Sequence, residues 1–269
     1  MTIRPTTQGE RLFLLLRDQI LDSFGQGHVK WSNFCALMTE VGGRPEFGGY
    51  LRGVASIHVM RRLLRFWEVE RQNTPQESQY VRKVASYVQS DVIPGIGNED
   101  ASRLARAVIA AEKSSRQTIS PTVRTRLIGG RPVLRCYLCP DELDPKAPEN
   151  SPAFLTLEHV WPQSAGGDSV EENLLPACKR CQATTKDSLS WEWFSVHNLV
   201  LPIEPSAGAI ASVSRRGFYA RHFLEAMRTA GKEHLSLKEA FVRMGPIRRN
   251  VYSKSTGEPT TFFDLVTVE

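Results

Sequence analysis

Cys136-Tyr137-Leu138-Cys139, Leu157-Glu158-His159-Val160-Trp161-Pro162-Gln163-Ser164-Ala165-Gly166-Gly167, Glu172-Asn173-Leu174-Leu175-Pro176 and Cys178-Lys179-Arg180-Cys181-Gln182 follow one another in a stretch closing at Lys186. Two thiolates two residues apart on a tight turn can face one ion, and two such pairs complete a tetrahedral four-sulfur site. Cys136, Cys139, Cys178 and Cys181 fill all four positions and leave none for water, so the expected ion is a structural zinc. The 38 residues between Cys139 and Cys178 exceed a minimal zinc ribbon, so something is inserted between the knuckles.

The insertion carries Glu158-His159 and Asn173. An imidazole titrates near neutral pH and can take a proton from water, while a neighbouring carboxylate can hold a hard divalent cation against a phosphate oxygen. Residues alternate in direction along a strand, so Glu158 and His159 serve one site only if the strand breaks there. Pro162 and Gly166-Gly167 are expected to supply that break.

The order Cys-x-x-Cys, Leu-Glu-His-x-x-Pro-x-Ser-x-Gly-Gly, Asn-Leu, Cys-x-x-Cys, Lys resembles the HNH endonuclease superfamily with its ββα-metal fold, over roughly residues 133–190. That resemblance implies that His159 activates water for in-line attack on a phosphodiester. It also implies that Asn173 pins the loop holding His159, and that Glu158 and Gln182 bind a catalytic Mg²⁺ or Mn²⁺. Glu158 stands where the family most often has Asp, and Gln182 where it has Asn or His, each one methylene longer. The expected products are 5′-phosphate and 3′-hydroxyl ends. Lys186 matches a recurrent family lysine and, with Lys179 and Arg180, is expected to grip flanking phosphates.

Around this stretch the expectation is an α+β, mostly helical protein in three parts. Residues 1–120 form a helical domain for DNA docking, regulation or oligomerisation, residues 121–200 the HNH module, and residues 201–269 a helical extension. Leu12, Leu15, Leu16, Ile20 and Phe24 predict a helix over 9–24, and further helices are expected at 32–40, 54–71, 75–92 and 99–116. Gly48-Gly49 reads as a turn, Asn98 as an N-cap, and Ser114 to Ser120, closed by Pro121, as a linker. In the helix over 54–71, Ile57, Met60, Leu64 and Trp67 make one apolar stripe. Arg61, Arg62 and Arg65 lie on other faces, as DNA contacts or as a solvated surface.

In the module, Arg131 to Tyr137 and Ala153 to Glu158 read as strands, and Glu171 to Cys181 as a turn entering a helix. Helices over 213–229 and 236–244 and a hairpin near 255–257 complete the chain. Cys35, in Phe34-Cys35-Ala36-Leu37-Met38, reads as a small buried hydrophobe. His28, His58, His222 and His234 read as ordinary surface or core residues, and His197 carries no assignment.

Residues 1–130 hold 18 Lys/Arg against 12 Asp/Glu, residues 131–200 hold 6 against 10, and residues 201–269 hold 10 against 7. An acidic centre between basic arms suits an enzyme that gathers cations centrally and a polyanion peripherally. Cysteines paired for ligation, no secretory h-region and no long apolar run point to a cytoplasmic protein. The combination resembles bacterial anti-phage effectors such as the nucleases of Zorya- or Septu-like systems, with a restriction enzyme as the nearest alternative. Other proteins of such a system, or an oligomer, are expected partners beside DNA, and a membrane is not. The rival readings are a non-catalytic zinc-stapled DNA-binding or scaffold protein and an RNA-directed nuclease.

Overall fold

The computed structural model describes residues 3–21, 46–129, 133–185, 189, 219, 222, 223 and 225–247. The helix expected at 32–40, Cys35, Lys186, His197 and the hairpin near 255–257 lie outside them. The chain is α+β and mostly helical, with two small antiparallel sheets. No helix among the described residues is long and apolar enough to cross a membrane.

The chain divides into two compact units, one of residues 5–118 with 161–169 and one of residues 1–4, 119–160 and 170–269. In the first, α1 (Gln8–Leu14) starts one residue earlier than expected and continues as a π-helical turn, Leu15–Ile20. Thr7 and Glu10 form a capping box: Thr7 Oγ1 accepts from the Glu10 amide, and Glu10 accepts from the amides of Thr6 and Thr7, each at 2.8 Å. Two orphan donors of the first turn are satisfied reciprocally. Burial pushes the Glu10 carboxyl up, against those hydrogen bonds.

Helix α2 runs from Glu46 to Asn73 and buries the expected stripe, Ile57, Met60, Leu64 and Trp67, with Leu63. It passes straight through Gly48-Gly49, where a turn was expected. Glycine weakens a helix by about 1 kcal/mol per residue relative to alanine, and a 28-residue helix absorbs that. Helices α3 (Tyr80–Tyr87, extended by a π-helical turn to Val92) and α4 (Asn98–Ser115) follow. Gly97, not Asn98, is the N-cap of α4, and the Asn98 side chain accepts from Gln89 Nε2 at 2.8 Å instead. Buried Glu112 is held by Arg116 at 2.9 Å and Arg71 at 3.3 Å, which ties α4 to α2.

The second unit's first helix is α5 (Pro121–Ile128), between the expected linker and the expected strand, where no element was assigned. Ser120 caps it by accepting from the Val123 amide, and Pro121 sits at the first helical position, where no amide is needed. β1 (Leu134–Arg135) and β2 (Glu142–Leu143) pair as a short hairpin. β3 (Leu155–His159) pairs antiparallel with β4 (Leu174–Cys178), in register Leu157 with Pro176, Glu158 with Leu175 and His159 with Leu174. Residues 174–178 are therefore strand where a turn and helix were expected. Pro176 masks the strand in the sequence, yet a ribbon two strands wide tolerates it.

Leu127 of α5 packs on Leu157 and Leu174, joined by Ile119, Val123 and Ile128, so α5 covers one face of the ribbon. Helix α6 (Lys179–Thr185) follows β4 directly and packs on both strands. Helical backbone over 225–233 leads to His234, at a left-handed φ of 56°, and then to α7 (Leu237–Met244), capped by a Ser236–Glu239 box.

Candidate metal centre and candidate active site

The first knuckle is made by the β1–β2 hairpin, which carries Cys136 and Cys139 at its turn. The second is made by the junction of β4 and α6, which carries Cys178 on the strand and Cys181 in the first helical turn. The four sulfurs lie within 4.8 Å of one another, and Cys139 Sγ is 3.8 Å from Cys178 Sγ. Zinc–sulfur bonds of about 2.3 Å in a tetrahedron place sulfurs about 3.8 Å apart. The four cysteines are positioned to bind a metal ion, and the donor set suits structural zinc.

Hydrogen bonds around the sulfurs favour thiolates. The Cys181 amide points at Cys178 Sγ at 3.4 Å, and the Tyr219 hydroxyl lies 3.1 Å from Cys181 Sγ. Cys136 is pulled down to about 5, by the Cys181 thiol first and, against burial, by backbone amides including those of Cys178 and Cys139. Cys139 is pushed up to about 12 by burial, with the Cys136 and Cys178 charges adding to it. Without a cation the second and third thiolates meet the charge of the first, which is the charge that a dication removes.

Lys179 and Arg180 are engaged at this cluster. Lys179 Nζ donates to the Glu149 carbonyl, and Arg180 pairs with Asp141 while its guanidinium reaches Cys139 Sγ at 4.0 Å. Arg180 therefore bridges the two knuckles.

Of the candidate catalytic residues, Glu158 and His159 lie on β3. Contrary to expectation, β3 does not break at Glu158-His159. Its pairing is regular through both, and the Val160 amide still donates to the Asn173 carbonyl at 2.8 Å. The two side chains therefore leave opposite faces. His159, half-buried, shares the α5 face with Leu157, whereas Glu158, buried, shares the α6 face with Leu175. Side chains so divided can meet at the strand end, and His159 is the last residue of β3.

Asn173 is buried and closes a 3₁₀ turn. Its amide donates to the Val170 carbonyl and its carbonyl holds Val160, so its backbone fixes the end of β3. On the other face, Thr185 Oγ1 lies 3.3 Å from Glu158 Oε1. Gln182 precedes Thr185 by three residues, about one turn, so it lies on the same side of α6 as Thr185. A carboxylate and an amide oxygen from facing elements are hard donors of the kind Mg²⁺ or Mn²⁺ takes, with water and phosphate oxygens completing the shell.

Thr185 carries no signal in the sequence. Tyr137 was hidden inside the first knuckle: burial, and then the charges of Glu158, Cys136 and Cys181, push its phenol up.

The remaining arginines assigned to nucleic acid are in the first unit. Arg61 lies 3.4 Å from Ser164 Oγ, Arg62 donates to the Tyr87 hydroxyl at 2.9 Å and sits over its ring, and Arg65 is exposed. The loop from Trp161 to Ser169, expected to shape the active site, belongs to that unit too. Trp161 is fully buried against Phe13, and the Gly9 amide donates to the Gly166 carbonyl at 2.9 Å. Gly166 has φ +78° and lies so close to Ala111 that a Cβ would stand 2.8 Å from its methyl, so only glycine fits.

Comparison of the chain with family models, with curated proteins and with solved structures finds no match.

Proposed function

We propose that the chain is a metal-dependent HNH-type endonuclease or nickase that hydrolyses DNA phosphodiester bonds, acting in bacterial anti-phage defence. The observation carrying this reading is a two-stranded ribbon with His159 at its end, backed by a helix and stapled by four cysteines. Glu158 stands on the helix side and Asn173 at the return turn. In this reading His159 takes the proton from an attacking water, and the Asn173 backbone keeps the strand end from fraying. Glu158 and Gln182 hold the divalent cation. When bound, that ion neutralises charge building on the phosphate and on the departing 3′ oxygen. The four-cysteine site holds zinc and keeps the ribbon and α6 together, a structural task.

One observation favours the non-catalytic reading, a zinc-stapled scaffold or DNA-binding protein. Among the described residues, the four cysteines are the only group of three or more His, Cys, Asp or Glu side chains close enough to share an ion. Glu158 and Gln182 would thus hold the cation with two protein ligands.

Supercoiled plasmid incubated with the protein and Mg²⁺ or Mn²⁺ separates the two. Nicking is expected, with a loss of about 10²- to 10⁴-fold in His159→Ala, the usual contribution of a general base. Equal nicking by His159→Ala removes the assigned base, and no nicking with either metal leaves the scaffold reading.

A further inference from the structure

We propose that α5 is the rail on which the phosphate backbone of duplex DNA rests beside His159, with Arg124 and Arg126 as its contacts. This deepens the nuclease reading and rests on it.

Charge selects the element. From residue 141 to residue 178 the second unit carries Asp141, Glu142, Asp144, Glu149, Glu158, Glu171 and Glu172 against the single Lys146. A polyanion approaching that body is repelled unless a basic element receives it. Between Glu112 and Asp141 there is no acidic residue at all, and Lys113, Arg116, Arg124, Arg126, Arg131 and Arg135 fall there. Of these cations, Arg124 and Arg126 are on α5.

Position selects it again. Leu127 packs α5 onto Leu157 and Leu174, and β3 places His159 on that same face. At 100° per residue, Arg126 and Arg124 leave the helix on opposite sides of Leu127. Both are exposed. Arg126 reaches the turn that ends in Asn173, where it lies 3.6 Å from Glu171 in a pair exposed at both ends. Such a pair is weak and readily exchanged for phosphate. Lys238 Nζ donates to the Glu171 carbonyl and adds positive charge at the same turn. An arginine fork matches phosphate oxygens bidentately, and these two cations stand in the same unit as His159. Lys179 and Arg180 lie instead at the knuckles, where they meet the Glu149 carbonyl and the Asp141 carboxylate.

The test is binding of a fluorescent DNA duplex of about 20 base pairs to the full chain, without added divalent cation, across a salt series. Arg124→Ala/Arg126→Ala is expected to weaken binding about tenfold and to flatten the log–log salt slope by about 2, near 0.9 for each phosphate left without its cation. Arg124→Lys/Arg126→Lys, which keeps the charges, is expected to retain most of both. The binding arm reads α5 even if the protein nicks no plasmid, so failure here is distinct from failure of the nuclease reading. Unchanged affinity and slope in the alanine variant overturn the proposal, as does plasmid nicking at the unmodified rate by that variant. Tighter binding of an RNA hairpin than of the duplex overturns DNA as the partner.

Discussion

The four-cysteine cluster and the Glu158–His159 pair lie in the same unit, yet they are built in opposite ways. Each cysteine pair is a local device: a hairpin turn in one case, a strand-to-helix junction in the other, with the sulfurs aimed by backbone that the pair itself occupies. The Tyr137 amide, donating to the Pro176 carbonyl at 3.0 Å, then links the first knuckle to β4. Glu158 and His159 are adjacent in sequence but divided by the strand between them, one toward α6 and the other toward α5. Their convergence depends on the strand end, on Asn173 and on two helices at opposite faces of the ribbon. A closed metal site tolerates error because the ion gathers its ligands, whereas a site spread over two faces needs each supporting element in place.

Breaking the staple should have the largest effect. Cys178→Ser removes a thiolate at the residue where β4 becomes α6. Structural zinc sites contribute about 10–16 kcal/mol of apparent binding energy, much of it folding energy. The expected outcome is a drop from about one zinc per chain to near none after dialysis, with loss of amide protection in β3, β4 and α6. Retained zinc with intact protection would mean that three cysteines and a water suffice.

The same contrast explains what could be read in the sequence. The cysteines were legible because ligand spacing is a local property, and the buried stripe of α2 because helical period is. β4 was not, since Pro176 argues against a strand and only its partner β3 justifies one. α5 was hidden because Ser120-Pro121, read as the end of a linker, is equally a helix cap with proline at the first position. Trp161 to Gly167 looked like the break that brings Glu158 and His159 together. It packs instead with α1 and α4, a long-range partnership that no local pattern announces.

A second, smaller effect comes from what packs beneath the first knuckle. His222 is buried against Phe241, and Phe241 meets Tyr137, inside that knuckle, edge-on with centroids 5.4 Å apart. Burial pushes the His222 imidazole down to about 4, against a smaller pull from the Gly245 backbone. The unfolded chain then binds the extra proton first, so stability is full above about pH 6.5 and falls as pH drops toward 4. The loss approaches about 3 kcal/mol, at 1.36 kcal/mol per pH unit. His222→Phe should abolish that decline in urea melts between pH 7 and 4.5. An unchanged slope would place the acid sensitivity in the thiolates instead.

The smallest predicted change lies where the two sites touch. Thr185 Oγ1 has three acceptors in reach: the Cys181 carbonyl at 3.2 Å, the Gln182 carbonyl at 3.2 Å and Glu158 Oε1 at 3.3 Å. A hydroxyl has one proton to give, and a carboxylate accepts more strongly than a carbonyl already engaged in its helix. Thr185 thus joins the helix of the second knuckle to the candidate cation ligand. Thr185→Val keeps the shape and removes the donor, which should cost about 1 kcal/mol of positioning, roughly a fivefold loss in nicking rate. Zinc content should stay at about one per chain, and Thr185→Ser should recover the rate. If the valine variant instead loses zinc, the hydroxyl serves the staple and the two sites are one device. If it changes neither, Glu158 is held by the strand alone, and the division between the two faces of β3 is complete.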